Sequence, residues 1–182
     1  AVLYEWLPGS LLSDKPSEAK WFEAGRLMAE LHGLTKNWQP KSPAALPQVD
    51  GALMGVEFRI GKSKHEAIND ELRELSADLI AQTDRFFKSQ RRKYAPRLIH
   101  TDMHGENLMS NRGKIAVFDF DDAGMGFEIQ DLANSVFYMR DEPKFEVALR
   151  AGYESVAALP EATELEFEQL LAARTVLLLN DL

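Results

Sequence analysis

The chain is predicted to fold as a mainly α-helical α+β domain with a small β-hairpin region, and three features of its sequence say so. Two long segments in the first half place apolar residues along one helical face. Between Arg97 and Phe118 the pattern changes to short apolar runs of period two. After Gly126 helical spacing returns.

In chain order, Leu3, Tyr4, Trp6 and Leu7 followed by Pro8-Gly9 read as a strand end and a turn. Ser17 can cap a helix running to about Leu31, with Ala24, Leu27, Met28 and Leu31 on one face and Gly33 ending it. Pro40, Pro43, Pro47 and Gly51 mark a loop. From Ser63 to about Arg92, the series Ile68, Leu72, Leu75, Leu79 and Phe86 predicts a long amphipathic helix whose stripe faces the core. Strands are expected at Arg97 to His100, Leu108 to Ser110 and Lys114 to Phe118, with Asn111-Arg112-Gly113 as the hairpin turn. Helices follow at Ile129 to Met139, Pro143 to Val156 and Glu161 to Leu179, the second opening on a favoured first-turn proline.

Composition narrows the function classes. At 182 residues, with 45% hydrophobic and 27% charged positions, one well-buried core is expected. No apolar run approaches the roughly 20 residues a bilayer-spanning helix needs, and the opening lacks the basic-then-apolar order of a signal peptide. A cytoplasmic protein without a membrane partner is the expectation. Cysteine is absent, which excludes disulfides, thiolate metal sites and cysteine nucleophiles. A net charge of -8 argues against nucleic acid, whose phosphates are held by lysine and arginine. The cluster Lys88, Arg91, Arg92 and Lys93 ends a predicted helix, where cations complement the macrodipole. Both ends are apolar, Ala1 to Leu7 and Val176 to Leu182, whereas termini are usually polar, so the expected chain is a piece of a longer one.

Chemistry gathers between Leu98 and Asp122, in LIHTDMHGENLMSNRGKIAVFDFDD. His100-Thr101-Asp102, four residues and Asn107 form H-x-D-x-x-x-x-N, the general spacing of kinase catalytic loops. Asp102 can orient a substrate hydroxyl or accept its proton. Asn107 offers a neutral oxygen to Mg2+ and Asp119 an anionic one. Magnesium usually takes only one or two ligands from protein, leaving the rest to phosphates and water. A general base contributes roughly 10²- to 10⁴-fold, while positioning supplies about 7–11 kcal/mol, so alignment of metal and phosphate must carry much of the acceleration.

These residues resemble the aminoglycoside phosphotransferase and choline kinase-like group, which has a protein-kinase-like fold. VLYEWLPGSLL is similar to that family's hinge between lobes, RLMAELHGL to a helix text, and FDFDDAGMGFEIQDLA to its metal loop and following helix. The resemblance implies a C-terminal catalytic lobe over residues 10–182, truncated at its C-terminal end, with residues 1–9 a hinge remnant from a missing N-terminal lobe. It implies transfer of the γ-phosphoryl group of ATP to the hydroxyl of a small molecule, with Asp102 catalytic and Asn107 and Asp119 holding Mg2+. The backbone from Glu5 to Leu7 would meet adenine and Met109 would floor the pocket. Asp131 would brace the catalytic loop and His100 organise it. The family's glycine-rich loop, strand lysine and helix glutamate have no counterpart here, so the isolated segment is expected to be inactive.

Other readings stand beside this one. Asp121 and Asp122 suit a metal or a solvated strand end equally. His104 completes H-x-D-x-H with His100 and Asp102, which could hold zinc, although a loop-stabilising histidine is the simpler reading. His32 and His65 lie on predicted helices without ligand-spaced partners, and Trp6, Trp21 and Trp38 read as packing groups. IAVFDFDD would also suit an aspartyl-phosphate hydrolase of the haloacid dehalogenase type, with Asp119 as nucleophile, but strands should then alternate with helices. A noncatalytic interaction lobe is the third alternative.

Overall fold

The computed structural model describes residues 6–38, 40–42 and 46–180. Its elements in order are β1 (Ser10–Leu11), α1 (Glu18–Thr35), a single 3-10 turn (Ile60–Lys62), α2 (Asp70–Lys93), β2 (Arg97–Ile99), β3 (Leu108–Asn111), β4 (Lys114–Val117), β5 (Gly124–Gly126), α3 (Glu128–Phe137), α4 (Pro143–Glu154) and α5 (Glu164–Leu179). The result is the mainly α, α+β architecture expected.

Ser17 caps α1, its Oγ accepting the Lys20 N–H at 3.3 Å. The helix runs past Gly33, because the chain stays right-handed there and through Lys36 instead of turning left-handed at the glycine. α1 and α4 touch backbone to backbone. A Cβ on Gly25 would lie 2.0 Å from Leu149 O, and one on Gly152 would lie 1.9 Å from Phe22 O, so only glycine admits this crossing. That closeness brings the ring of Tyr153 to 5.6 Å from the ring of His32.

The second long helix begins later than its pattern implies. Asn69 caps α2 by accepting the Leu72 N–H at 2.8 Å, and Ile68 packs ahead of the helix. Its buried line is Ser76, Thr83, Phe86, Phe87 and Gln90, while Leu75 is 63% exposed. The apolar stripe is therefore rotated from the helix's true inner face, which α5 covers. The basic last turn has a structural role in part, since Arg91 Nε donates to Asp50 Oδ2 at 2.5 Å. Of the tryptophans, Trp21 packs on Phe145, whereas Trp6 is 85% exposed and does not pack as expected.

β1, β3 and β4 form a three-stranded antiparallel sheet, and β2 pairs antiparallel with β5. Asn111 pairs with Lys114 across a two-residue loop in which Arg112 and Gly113 have φ of 50° and 80°, the primed turn that matches strand twist. The loop from β2 to β3 carries residues 100–107, and the loop from β4 to β5 carries residues 118–123. Pairing of β3 with β4 sets these two loops side by side. The hydrolase rival finds no support here, since β4 is an antiparallel hairpin strand and helices α3, α4 and α5 follow without intervening strands. Beneath the loops lies the main core, with Leu12, Met28, Phe87, Met103, Leu108 and Leu132 among its most buried members. No described helix is long and apolar enough to cross a membrane.

Candidate active site

The loop after β2 is tied to α3 along its backbone. Asp131, 2% exposed, accepts the His100 N–H on Oδ2 at 3.0 Å and the Thr101 N–H on Oδ1 at 2.5 Å. One turn on, Asn134 Nδ2 donates to Thr101 O and Ser135 Oγ donates to Met103 O. Thr101 has a φ of 70°, a left-handed conformation that costs a β-branched residue on the order of 1–3 kcal/mol. Its hydroxyl donates to Asp122 O at 2.8 Å, so its N–H, C=O and O–H are all held. The bonds that fix this strained residue also fix Asp102, the next in the chain.

Asp131 is in turn held from behind. Asp131 accepts only, so His32 Nε2 carries the proton of their 3.0 Å bond, and His32 Nδ1 accepts from the Tyr153 hydroxyl at 2.9 Å. Burial works to raise the Asp131 pKa. The His32 hydrogen bond and charge, with the N–H groups of His100 and Thr101, outweigh it and hold the carboxyl below its ordinary range. Burial pushes the Tyr153 phenol well above its ordinary value, so it stays a neutral donor. His32 is therefore a partner of the site rather than an isolated packed residue, and α1, α3 and α4 meet in one chain of bonds.

At the head of that chain, Asp102 shares its carboxylate among three side chains. Oδ2 accepts from Asn107 Nδ2 at 3.0 Å and from His104 Nε2 at 3.2 Å, and Oδ1 accepts from Arg174 Nη2 at 2.5 Å. Partial burial works to raise its pKa, but the His104 hydrogen bond and the neighbouring Arg174 charge prevail and lower it. Asp102 is thus ionised and oriented at neutral pH. The zinc reading loses its donors. His100 accepts the Asp102 N–H on Nδ1 and gives Nε2–H to Phe118 O at 3.0 Å, while His104 accepts the Glu106 N–H and turns Nε2 to Asp102.

Asn107 aims Nδ2 at Asp102 O and Asp102 Oδ2, which leaves its Oδ1 for a cation. The Phe118 N–H donates to Asn107 O at 3.1 Å, so the next residue, Asp119, leaves from beside Asn107. Asp119 is exposed and left-handed, with a φ of 62°. An amide oxygen and a carboxylate are the hard donors Mg2+ takes, and two from protein are enough. These donor types suit a divalent cation. Asp121 and Asp122 are exposed, and Asp122 contributes its backbone oxygen to Thr101.

Of the expected nucleotide contacts, Glu5 lies outside the described residues. Leu7 is 37% exposed beside the 85% exposed Trp6, just ahead of β1. Met109 pairs with Leu11 of β1 and is half-buried on the face of β3 opposite Leu108 and Ser110. The structure therefore brings Met109 against the strand that follows Leu7. Thr101, Asn134, Ser135 and Arg174 were given no role from the sequence, and His32 was read there as having no partner. A polar i, i+3, i+4 set (Asp131, Asn134, Ser135) on the buried face of α3 and an arginine inside the apolar stripe of α5 are the signals that point to them.

Solved phosphotransferases share the fold. A structure of amicoumacin kinase with AMP-PNP and Ca2+ matches with a TM-score of 0.72 at 19% identity, covering 97% of this chain and 55% of that one. A microcompartment-associated aminopropanol kinase matches at 0.62 and 22%, and spectinomycin phosphotransferase with ADP and spectinomycin at 0.55 and 13%. Among curated proteins, amicoumacin kinase of Bacillus subtilis (strain 168) is 29% identical over 134 residues, which are 72% of this chain and 38% of that protein. The chain thus spans about half the length of the relatives it matches or less. The model of the phosphotransferase enzyme family matches residues 1–165, and the chain belongs to that family.

Proposed function

We propose that this chain is the catalytic lobe of an ATP- and Mg2+-dependent kinase that phosphorylates a hydroxyl group of a small molecule. The observation that carries this reading is the contact of Asp102 with Asn107, whose backbone is bonded to the loop bearing Asp119. One ionised carboxylate is aimed and shielded by Asn107, His104 and Arg174, with the amide of Asn107 beside it and Asp119 on the loop bonded to the Asn107 backbone. Asn107 and Asp119 would hold the magnesium ion, which supplies charge neutralisation for the phosphates when bound. Asp102 would receive the hydroxyl proton of the acceptor and orient its oxygen toward the γ-phosphorus.

Residues 1–9 are the hinge in this reading, and a preceding lobe would cover the nucleotide. The exposure of Trp6 and Leu7 supports it, since apolar side chains that open would be covered by adenine or by that lobe. Met109 would floor the adenine pocket from β3, and His100 and Asp131 hold the loop. A cytoplasmic setting, where ATP is supplied, completes the proposal. The similarity to kinases of amicoumacin and aminopropanol supports a small molecule as the acceptor. A noncatalytic lobe would have no reason to hold Thr101 in a strained conformation that aims the next residue.

The test is ADP release by the intact kinase across aminoglycosides, amino alcohols, hydroxy acids, sugars and peptides. Acceptor-dependent release that falls by at least about 100-fold in Asp102→Asn, with nucleotide binding unchanged, is expected. Undiminished turnover by that variant would refute the role of Asp102.

A further inference from the structure

Arg174 occupies a position that helix α5 otherwise gives to the core. Phe167, Leu170, Leu171 and Arg174 follow i, i+3, i+4, i+7 on its buried face, and the arginine side chain is 8% exposed. A buried guanidinium is costly unless paired, and an apolar residue would pack the same place without that cost. Its Nη2 donates to Asp102 Oδ1 at 2.5 Å and to the Tyr138 hydroxyl at 2.9 Å, and Nη1 faces Met54 Sδ at 3.9 Å. Nε is buried with no hydrogen-bond partner among the described residues. Arginine has five N–H donors, so this fork has donors to spare. It lines a small cavity with Ala52, Met54, Gln130 and Asn134.

The bonding of Asp102 says what would enter beside it. Oδ2 already accepts two hydrogen bonds, whereas Oδ1 accepts only the one from Arg174. An acceptor hydroxyl therefore reaches Oδ1, and the neighbouring atoms of that molecule meet the guanidinium that shares this oxygen. We propose that Arg174 is a specificity-determining residue: the acceptor carries a carboxylate or amide carbonyl close to the hydroxyl that is phosphorylated, and Arg174 binds that oxygen. This rests on the kinase reading above. In the transfer, the bond from the γ-phosphorus to the ADP oxygen breaks, ADP leaves with its electron pair, and the hydroxyl oxygen bonds to phosphorus as its proton passes to Asp102. Hydroxy acids and hydroxy amides fit. An ammonium next to the reacting hydroxyl would offer no acceptor to the spare guanidinium donors.

The experiment compares three acceptors of equal chain length in the intact kinase: a hydroxy acid, its primary amide and the corresponding amino alcohol, followed by ADP release. The acid and the amide are expected to exceed the amino alcohol at least tenfold in kcat/KM. Arg174→Gln should raise KM for the acid about 10- to 100-fold, the weight of a charge-assisted hydrogen bond, with KM for ATP unchanged. Arg174→Lys should restore part of that loss. An amino alcohol used as well as the acid by the wild type would overturn the assignment, and this comparison decides even if the glutamine variant does not fold. So would an acid-to-amine ratio unaltered in Arg174→Gln. A protein that releases no ADP with any hydroxyl compound, aminoglycosides included, sinks the kinase reading and the assignment with it.

Discussion

The two loops of the site are built in opposite ways. The loop proposed as catalytic, residues 100–107, is locked from beneath: Asp131, Asn134 and Ser135 hold its backbone, and His32 and Tyr153 hold Asp131. The loop proposed to bind metal, residues 118–123, is anchored by bonds at Phe118 and Ala123, while Asp119, Asp121 and Asp122 face solvent. The difference separates two tasks. In the proposed reading, the group that aims at a hydroxyl is fixed with Asn107 before the substrate arrives, and the anionic ion donor Asp119 is left open. Substitutions in the first loop should therefore cost stability, and those in the second should cost ligand binding alone.

The largest effect should come from the root of the locked loop. Asp131→Ala removes the partner of a buried histidine and of two buried N–H groups, and breaking such a pair typically costs about 3–5 kcal/mol. Against a usual domain stability of about 5–15 kcal/mol, urea unfolding should show a severely destabilised protein. A loss under about 1 kcal/mol would mean that the loop is held by other means.

A second test uses pH. The Asp131 carboxyl titrates below its ordinary value of about 3.9, so the folded state binds fewer protons than the unfolded one in that range. Its contribution to stability is complete above the unfolded pKa and disappears as pH falls through the lower, folded pKa. Acid unfolding followed by circular dichroism should accordingly lose a component below about pH 4 that Asp131→Asn does not show. A smaller change is expected in Tyr153→Phe, which deletes one hydrogen bond to His32 and should cost about 1–2 kcal/mol by urea unfolding. Asp121→Ala, in the open loop, should alter stability by no more than about 0.5 kcal/mol in the same assay.

Most helices and strands were legible because their signals are local: a serine cap before α1, a proline opening α4, a two-residue turn between β3 and β4. Asp102, Asn107 and Asp119 were picked out by spacing and resemblance, and their roles are the proposal tested below. The support around them was less legible. His32 is 99 residues from Asp131, and no local pattern pairs them, because the crossing of α1 and α4 that seats Tyr153 on His32 depends on two distant glycines. The strain at Thr101 is likewise invisible in a threonine codeless for backbone angle, since partners on α3 and in the metal loop impose it. Leu75 misled because a regular apolar series can lie to one side of the face that tertiary packing buries.

The central claim is that Asn107 and Asp119 hold a divalent ion beside Asp102, and calorimetry of AMP-PNP binding to the intact kinase tests it most directly. Wild type should bind more tightly with Mg2+ than without, and Asp119→Ala should lose that difference while melting as the wild type does. Equal affinity with and without the ion in the wild type, or an undiminished response in the variant, would contradict it.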